Sequence, residues 1–160
     1  EKQMKGLILN KGENGYSYFK NVFCEVSEMS EEYNWLISYP ECCPKNKELQ
    51  EKMDEDYIWI SGLELKRMLY LDNFQWIWGV LSGFSKNISL KDILEYQLPY
   101  ADGYTGFWRN PITLQHPLAD IELVAWDSSC TLFVSKNELI IKKISIIYPQ
   151  AEDLETYNKK

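Results

Sequence analysis

Arginine and histidine are the scarcest polar residues of this 160-residue chain: Arg67, Arg109 and the single His116. Phosphate recognition relies on clustered Arg and Lys, so two arginines within a formal charge of −7 disfavour direct nucleic-acid binding. The four cysteines, Cys24, Cys42, Cys43 and Cys130, include an adjacent pair but no CxxC. With one histidine beside them they argue against a structural zinc site, and reduced thiols in a cytoplasmic protein are the expectation. No apolar run approaches the eighteen or so residues of a membrane-spanning helix. No basic-then-apolar leader is visible, so no export signal is expected. Neither GxGxxG, a P-loop nor GxSxG occurs, which leaves nucleotide cradling and a nucleophile elbow unsupported.

Catalysis has few other footholds. A Cys–His or Ser–His nucleophile would need His116 as its base, with only scattered partners such as Cys130 and Ser128. Glu122 and Asp127 lie five apart on one strand, so the period of two sends them to opposite faces and argues against a glycosidase-like couple. A hydrolase built on His116 is the weakest of three readings. No enzyme activity, cofactor or metal is expected.

What is present is a well-specified scaffold. A hydrophobic fraction of 45% with 26% charged residues is ordinary for a soluble domain. Six Trp and eleven Tyr are many for this length, so some aromatics are expected on the surface. The run Asp120–Pro149 organises the rest. Ile121–Trp126 is apolar on both sides apart from Glu122, as suits a strand covered on two faces. Asp127, Ser128 and Ser129 favour a turn, and Cys130–Val134 completes a hairpin. Ser135 and Glu138 have capping-box spacing, and Ile140, Ile141, Ile144, Ile147 and Tyr148 form one helical face that Pro149 closes.

The remaining elements follow in order. Met4–Leu9 reads as a strand, Gly12, Asn14 and Gly15 as a turn, and Phe19, Val22, Phe23 and Val26 as one face of a helix from about Tyr16. Glu1–Gln3, ahead of Met4, read as an expression or processing remnant. Tyr33–Ser38 is a strand, and residues 40–56 a polar excursion with room for one helical turn. Tyr57–Ile60 is a short strand. Ser61 with Glu64, and Ser89 with Asp92, cap two further helices. Phe74–Phe84 is the longest strand candidate, with Phe74, Trp76, Trp78 and Val80 alternating onto one face. The reading is an α+β fold: a single domain over 4–149 with a mixed or mostly antiparallel sheet, flanking amphipathic helices, a C-terminal hairpin plus helix, and a polar tail over 150–160.

Two segments could carry a function. Asp54, Glu55 and Asp56 are the densest charge, which reads as a solvated loop edge or an anionic contact. Residues 97–119 lack periodicity and hold Tyr100, Asp102, Tyr104, Phe107, Trp108 and Arg109. Tyr, Trp and Arg dominate interface energetics, so an exposed loop would be a partner site. An Ω-like loop with its aromatics packed beneath it is the alternative.

The stretches MKGLILN, YNWLIS, ISGLEL, DSSCTLFV and KNELI resemble small bacterial cytosolic proteins, among which are toxin-immunity proteins. That resemblance implies a cytoplasmic, non-enzymatic module that occludes a basic toxin domain such as a nuclease. An acidic protein with pI about 4.8 can steer such a partner at long range. Asp54, Glu55, Asp56 and Asp102 would then take the place of phosphates, and Tyr100, Tyr104, Phe107, Trp108 and Arg109 would complete the contact. The rival is a small regulatory or ligand-binding module with an aromatic pocket of Trp76, Trp78 and Trp126.

Overall fold

Runs rich in β-branched and aromatic residues become strands, and the capped amphipathic runs become helices. The computed structural model describes residues 4–12 and 17–160. The turn at Asn14 and Gly15, the helix start near Tyr16 and the remnant Glu1–Gln3 lie outside the described residues. In chain order the elements are β1 (Lys5–Leu9), α1 (Lys20–Glu25), α2 (Ser27–Glu31), β2 (Tyr33–Cys42), α3 (Lys47–Met53), β3 (Tyr57–Ser61) and α4 (Gly62–Leu71). Then come β4 (Trp76–Ser85), α5 (Leu90–Ile93), β5 (Ile121–Trp126), β6 (Cys130–Ser135), α6 (Glu138–Ile147), β7 (Glu152–Asp153) and α7 (Leu154–Asn158). The strands make one sheet in the order β3-β2-β4-β5-β6-β1-β7, with every pair antiparallel. This is the α+β architecture expected.

The sheet is covered on both sides by different means. Trp35, Leu81, Leu123 and Phe133 face Val22 and Phe23 of α1, Met29 of α2, Leu65 and Leu69 of α4, and the isoleucines of α6. Leu36, Val80, Phe84, Val124 and Leu132 face the other way, and there the cover is mostly irregular chain: Ala101, Phe107, Ile112, Leu114 and Ala119. The long loop is therefore the second wall of the core, the Ω-like alternative above. Two-sided burial also explains why Ile121–Trp126 has no polar face.

At the β5–β6 turn, Asp127 and Ser128 both adopt left-handed φ, 51° and 56°, the conformation whose twist matches a tight hairpin. Ser61 accepts the Glu64 N–H and Ser89 the Asp92 N–H, as their spacing predicts. The third cap differs. Ser135 is the last residue of β6, and its hydroxyl bonds the Asp120 carbonyl. Asn137 caps α6 instead, accepting from the N–H groups of Leu139 and Ile140. Asn137→Ala should therefore destabilise the protein by about 1 kcal/mol in urea unfolding. A loss confined to Glu138→Ala would instead favour the capping box.

Four more expectations need correcting. β2 does not stop at Ser38: it bulges between Ser38 and Glu41 and continues to Cys42. The excursion that follows holds a full helix, α3, capped by Asn46. Trp76 and Trp78 do not share a face: the irregular pairing with Glu41 and Cys42 puts Trp76 under the helices and Trp78 on the loop side. Residues 150–160 are not a tail, because β7 pairs with β1 and Leu154 of α7 is 0% exposed.

Candidate functional site

The bulge in β2 builds one wall of a cleft. Pro40 has no N–H to offer the ladder, and such residues sit where a strand is interrupted. Tyr39, at φ 46°, swings its ring outward while its N–H bonds the Asp56 carbonyl at 2.7 Å. A tyrosine in the left-handed region is uncommon and is held there by its surroundings. That bond ties the bulge to the turn between α3 and β3, which carries Asp54, Glu55 and Asp56.

The opposite wall is the loop. Gln115 clamps Tyr100 from both sides: its Nε2 donates to the Tyr100 carbonyl and its Oε1 accepts the Tyr100 N–H, each at 3.0 Å. Gln115 is pinned in turn by its own N–H, which donates to Glu122 Oε2 at 3.0 Å. Glu122 is fully buried on β5. Burial pushes its carboxyl up to about 7, against the N–H groups of Gln115 and His116, which favour the carboxylate. Residue types alone point to neither Gln115 nor Glu122 as builders of this site; the one signal was Glu122 breaking an otherwise apolar strand.

Between these walls lies an open cleft of about 630 Å³. Trp78, Met53 and Ala101 form its apolar base, and Tyr39 and Tyr100 its aromatic sides. Glu41, Asp54, Glu55, Asp56 and Asp102 line it, and among the described residues no Lys or Arg does. Carboxylates 46 residues apart in sequence thus converge, and Glu41 joins them through the bulge. A cleft with one sign of charge over an apolar base focuses field on a cationic ligand.

The other nominated residues are elsewhere. Phe107, nominated for the partner contact, is 4% exposed and packs against Tyr104 and Trp126. Tyr104 is half-buried between Tyr100 and Phe107, and burial raises its hydroxyl pKa. Arg109 is exposed but does not line the cleft. Trp108 lies in a second pocket of about 520 Å³ with Trp126 and Tyr157. The Trp76, Trp78 and Trp126 pocket does not form, since Trp76 is on the other face of the sheet.

The nucleophile candidates are not activated. His116 is buried, with Nδ1 accepting the Leu118 N–H at 3.1 Å and Nε2 2.9 Å from the Ile93 carbonyl. The first bond leaves the proton on Nε2, so the ring is a neutral peg holding α5 to the loop, and burial lowers its pKa. Burial pushes the thiols of Cys42 and Cys130 up to about 12 and about 11, far from the thiolate range. Among the described residues no group of His, Cys, Asp and Glu is placed to hold a metal ion, and no helix is long and apolar enough to cross a membrane. Comparison with known families, curated proteins and solved structures finds no match.

Proposed function

We propose that this protein is a non-enzymatic binding module of the immunity type, acting in the cytoplasm to occlude a basic domain of a cognate toxin. The convergence of Glu41, Asp54, Glu55, Asp56 and Asp102 on one cleft, with no cation lining it among the described residues, carries this reading. A toxin that grips phosphates has a basic cleft of its own. Carboxylates presented there speed encounter, while Tyr39 and Tyr100 over Trp78 supply area that slows release.

The partner to test is the C-terminal domain of any large secreted protein encoded beside this gene. Asp54, Asp56 and Asp102 changed together to Asn should weaken its binding at least about tenfold by calorimetry at low salt, because close charge pairs contribute strongly across interfaces. The difference should shrink as salt rises. Equal affinity for variant and parent would remove the cleft from the interface.

A second reading rests on the pocket of Trp108, Trp126 and Tyr157. Asn158 donates from Nδ2 to the Phe107 carbonyl and Asn110 Oδ1, which fixes its amide and leaves its buried Oδ1 without a donor. The buried Asn10 Oδ1 likewise has no partner among the described residues and borders the same pocket. Aromatic walls with spare acceptors suit a small planar N–H donor. Quenching of tryptophan emission by such a compound, lost in Trp108→Ala, would support it.

A further inference from the structure

The two edges of the sheet are built differently. β7 is two residues long, both acidic, and α7 follows it at once, so that edge offers little to pair with. β3 reads YIWIS: five residues without charge, proline or bulge, each half-exposed, and paired among the described residues only to β2. Natural edges are blunted by lysine, proline, bulges or cover, and β3 has none of these within it. The bond from Tyr39 N–H to the Asp56 carbonyl sets the alternation of the ladder. Ile58 and Ile60 therefore bond β2, while Tyr57, Trp59 and Ser61 turn their N–H groups outward.

We infer that β3 accepts an added strand from the basic partner, an extended segment carrying Lys or Arg at alternate positions. This rests on the acidic-surface reading above and deepens it. A groove of about 260 Å³ runs along β3, bordered by Ile58, Trp59 and Ile60, with Glu55 at one end and Glu64 at the other; Lys52 is its one cation among the described residues. Glu55 borders both this groove and the acidic cleft, so one segment can use the two together. Main-chain bonds supply affinity in such additions, and side-chain pockets supply selectivity. A second copy of the chain fits less well. Pairing Trp59 with its own symmetry mate brings the Asp54–Asp56 turn of each copy towards Glu64 of the other, carboxylate against carboxylate.

The test uses the full chain and a capped seven-residue peptide alternating lysine with valine, with amide exchange followed by NMR. Saturating peptide should slow exchange at Tyr57, Trp59 and Ser61 at least tenfold and leave the bonded Ile58 and Ile60 unchanged. A counterpart N-methylated at every residue keeps its charge and its carbonyls but sets methyl groups against the β3 carbonyls, so it cannot lie alongside as a strand and should give no protection. Peptide binding without protection of the three amides would overturn strand addition and leave the cleft reading standing. Absence of binding, or protection that appears with protein concentration alone as a dimer forms, would also overturn it. Protection that persists when Asp54, Asp56 and Asp102 are Asn and Glu55 and Glu64 are Gln would instead sink the acidic-surface reading alone.

Discussion

Replacing Gly62 with alanine should destabilise this protein by about 3 kcal/mol, although alanine ordinarily improves a helix by about 1 kcal/mol over glycine. Gly62 opens α4 where that helix meets the corner between α2 and β2. A Cβ there would lie 2.6 Å from the Met29 carbonyl oxygen and 2.7 Å from those of Ser30 and Tyr33. All three obstacles are backbone, so no side chain can step aside and α4 itself must shift. The Met29 carbonyl also accepts the buried Trp35 indole N–H at 2.7 Å, so the displacement strains a core hydrogen bond. Thermal unfolding should show a fall of about 10 °C, given about 2–4 °C per kcal/mol at this size. Leu63→Ala, one residue on and 55% exposed, is the control and should change little. Equal stability of the Gly62→Ala variant and the parent would mean that α4 does not dock this closely.

Why Gly62 must be glycine is invisible in the sequence, and it marks where local reasoning stops. The caps at Ser61 and Ser89 were legible because their partners are three residues away. Ser135 matched the same spacing but failed, because the β6 ladder and Asp120 had already claimed it; Asn137 was left as the cap. Strand alternation put Trp76 and Trp78 together, and only the bulge opposite them, set by Tyr39 and Pro40, separates them. Residues 150–160 looked polar because their fully buried anchor, Leu154, repeats with no period. The candidate cleft was half legible: charge density singled out residues 54–56, and loop composition singled out Tyr100 and Asp102. Their meeting depends on bonds spanning Tyr39 to Asp56 and Gln115 to Tyr100, and no residue pattern encodes those.

The anchor of that second link should make the protein less stable as pH rises from about 5 to 8. The unfolded chain releases the Glu122 proton near the ordinary 4.5, whereas burial holds it in the folded protein up to about 7. Between those values the native state binds a proton that the unfolded state has lost, so unfolding free energy falls with pH. The loss begins above about 4.5, is complete above about 7, and totals roughly 3 kcal/mol. His116 and Glu28, both lowered from their ordinary values, contribute slopes of the opposite sign. Glu122→Gln isolates the effect. Its amide oxygen can still accept the Gln115 N–H, and its NH₂ faces the cross-strand neighbour Ser82, whose buried hydroxyl has no partner. The variant should match the parent within about 1 kcal/mol near pH 4.5. At pH 8 it should be more stable by about 2 kcal/mol, since it never ionises. Urea unfolding across this range reads the difference directly, and parallel curves for variant and parent would show that Glu122 is already ionised in the folded core. Because Glu122 holds Gln115 and Gln115 holds Tyr100, its ionisation also bears on the loop wall of the cleft.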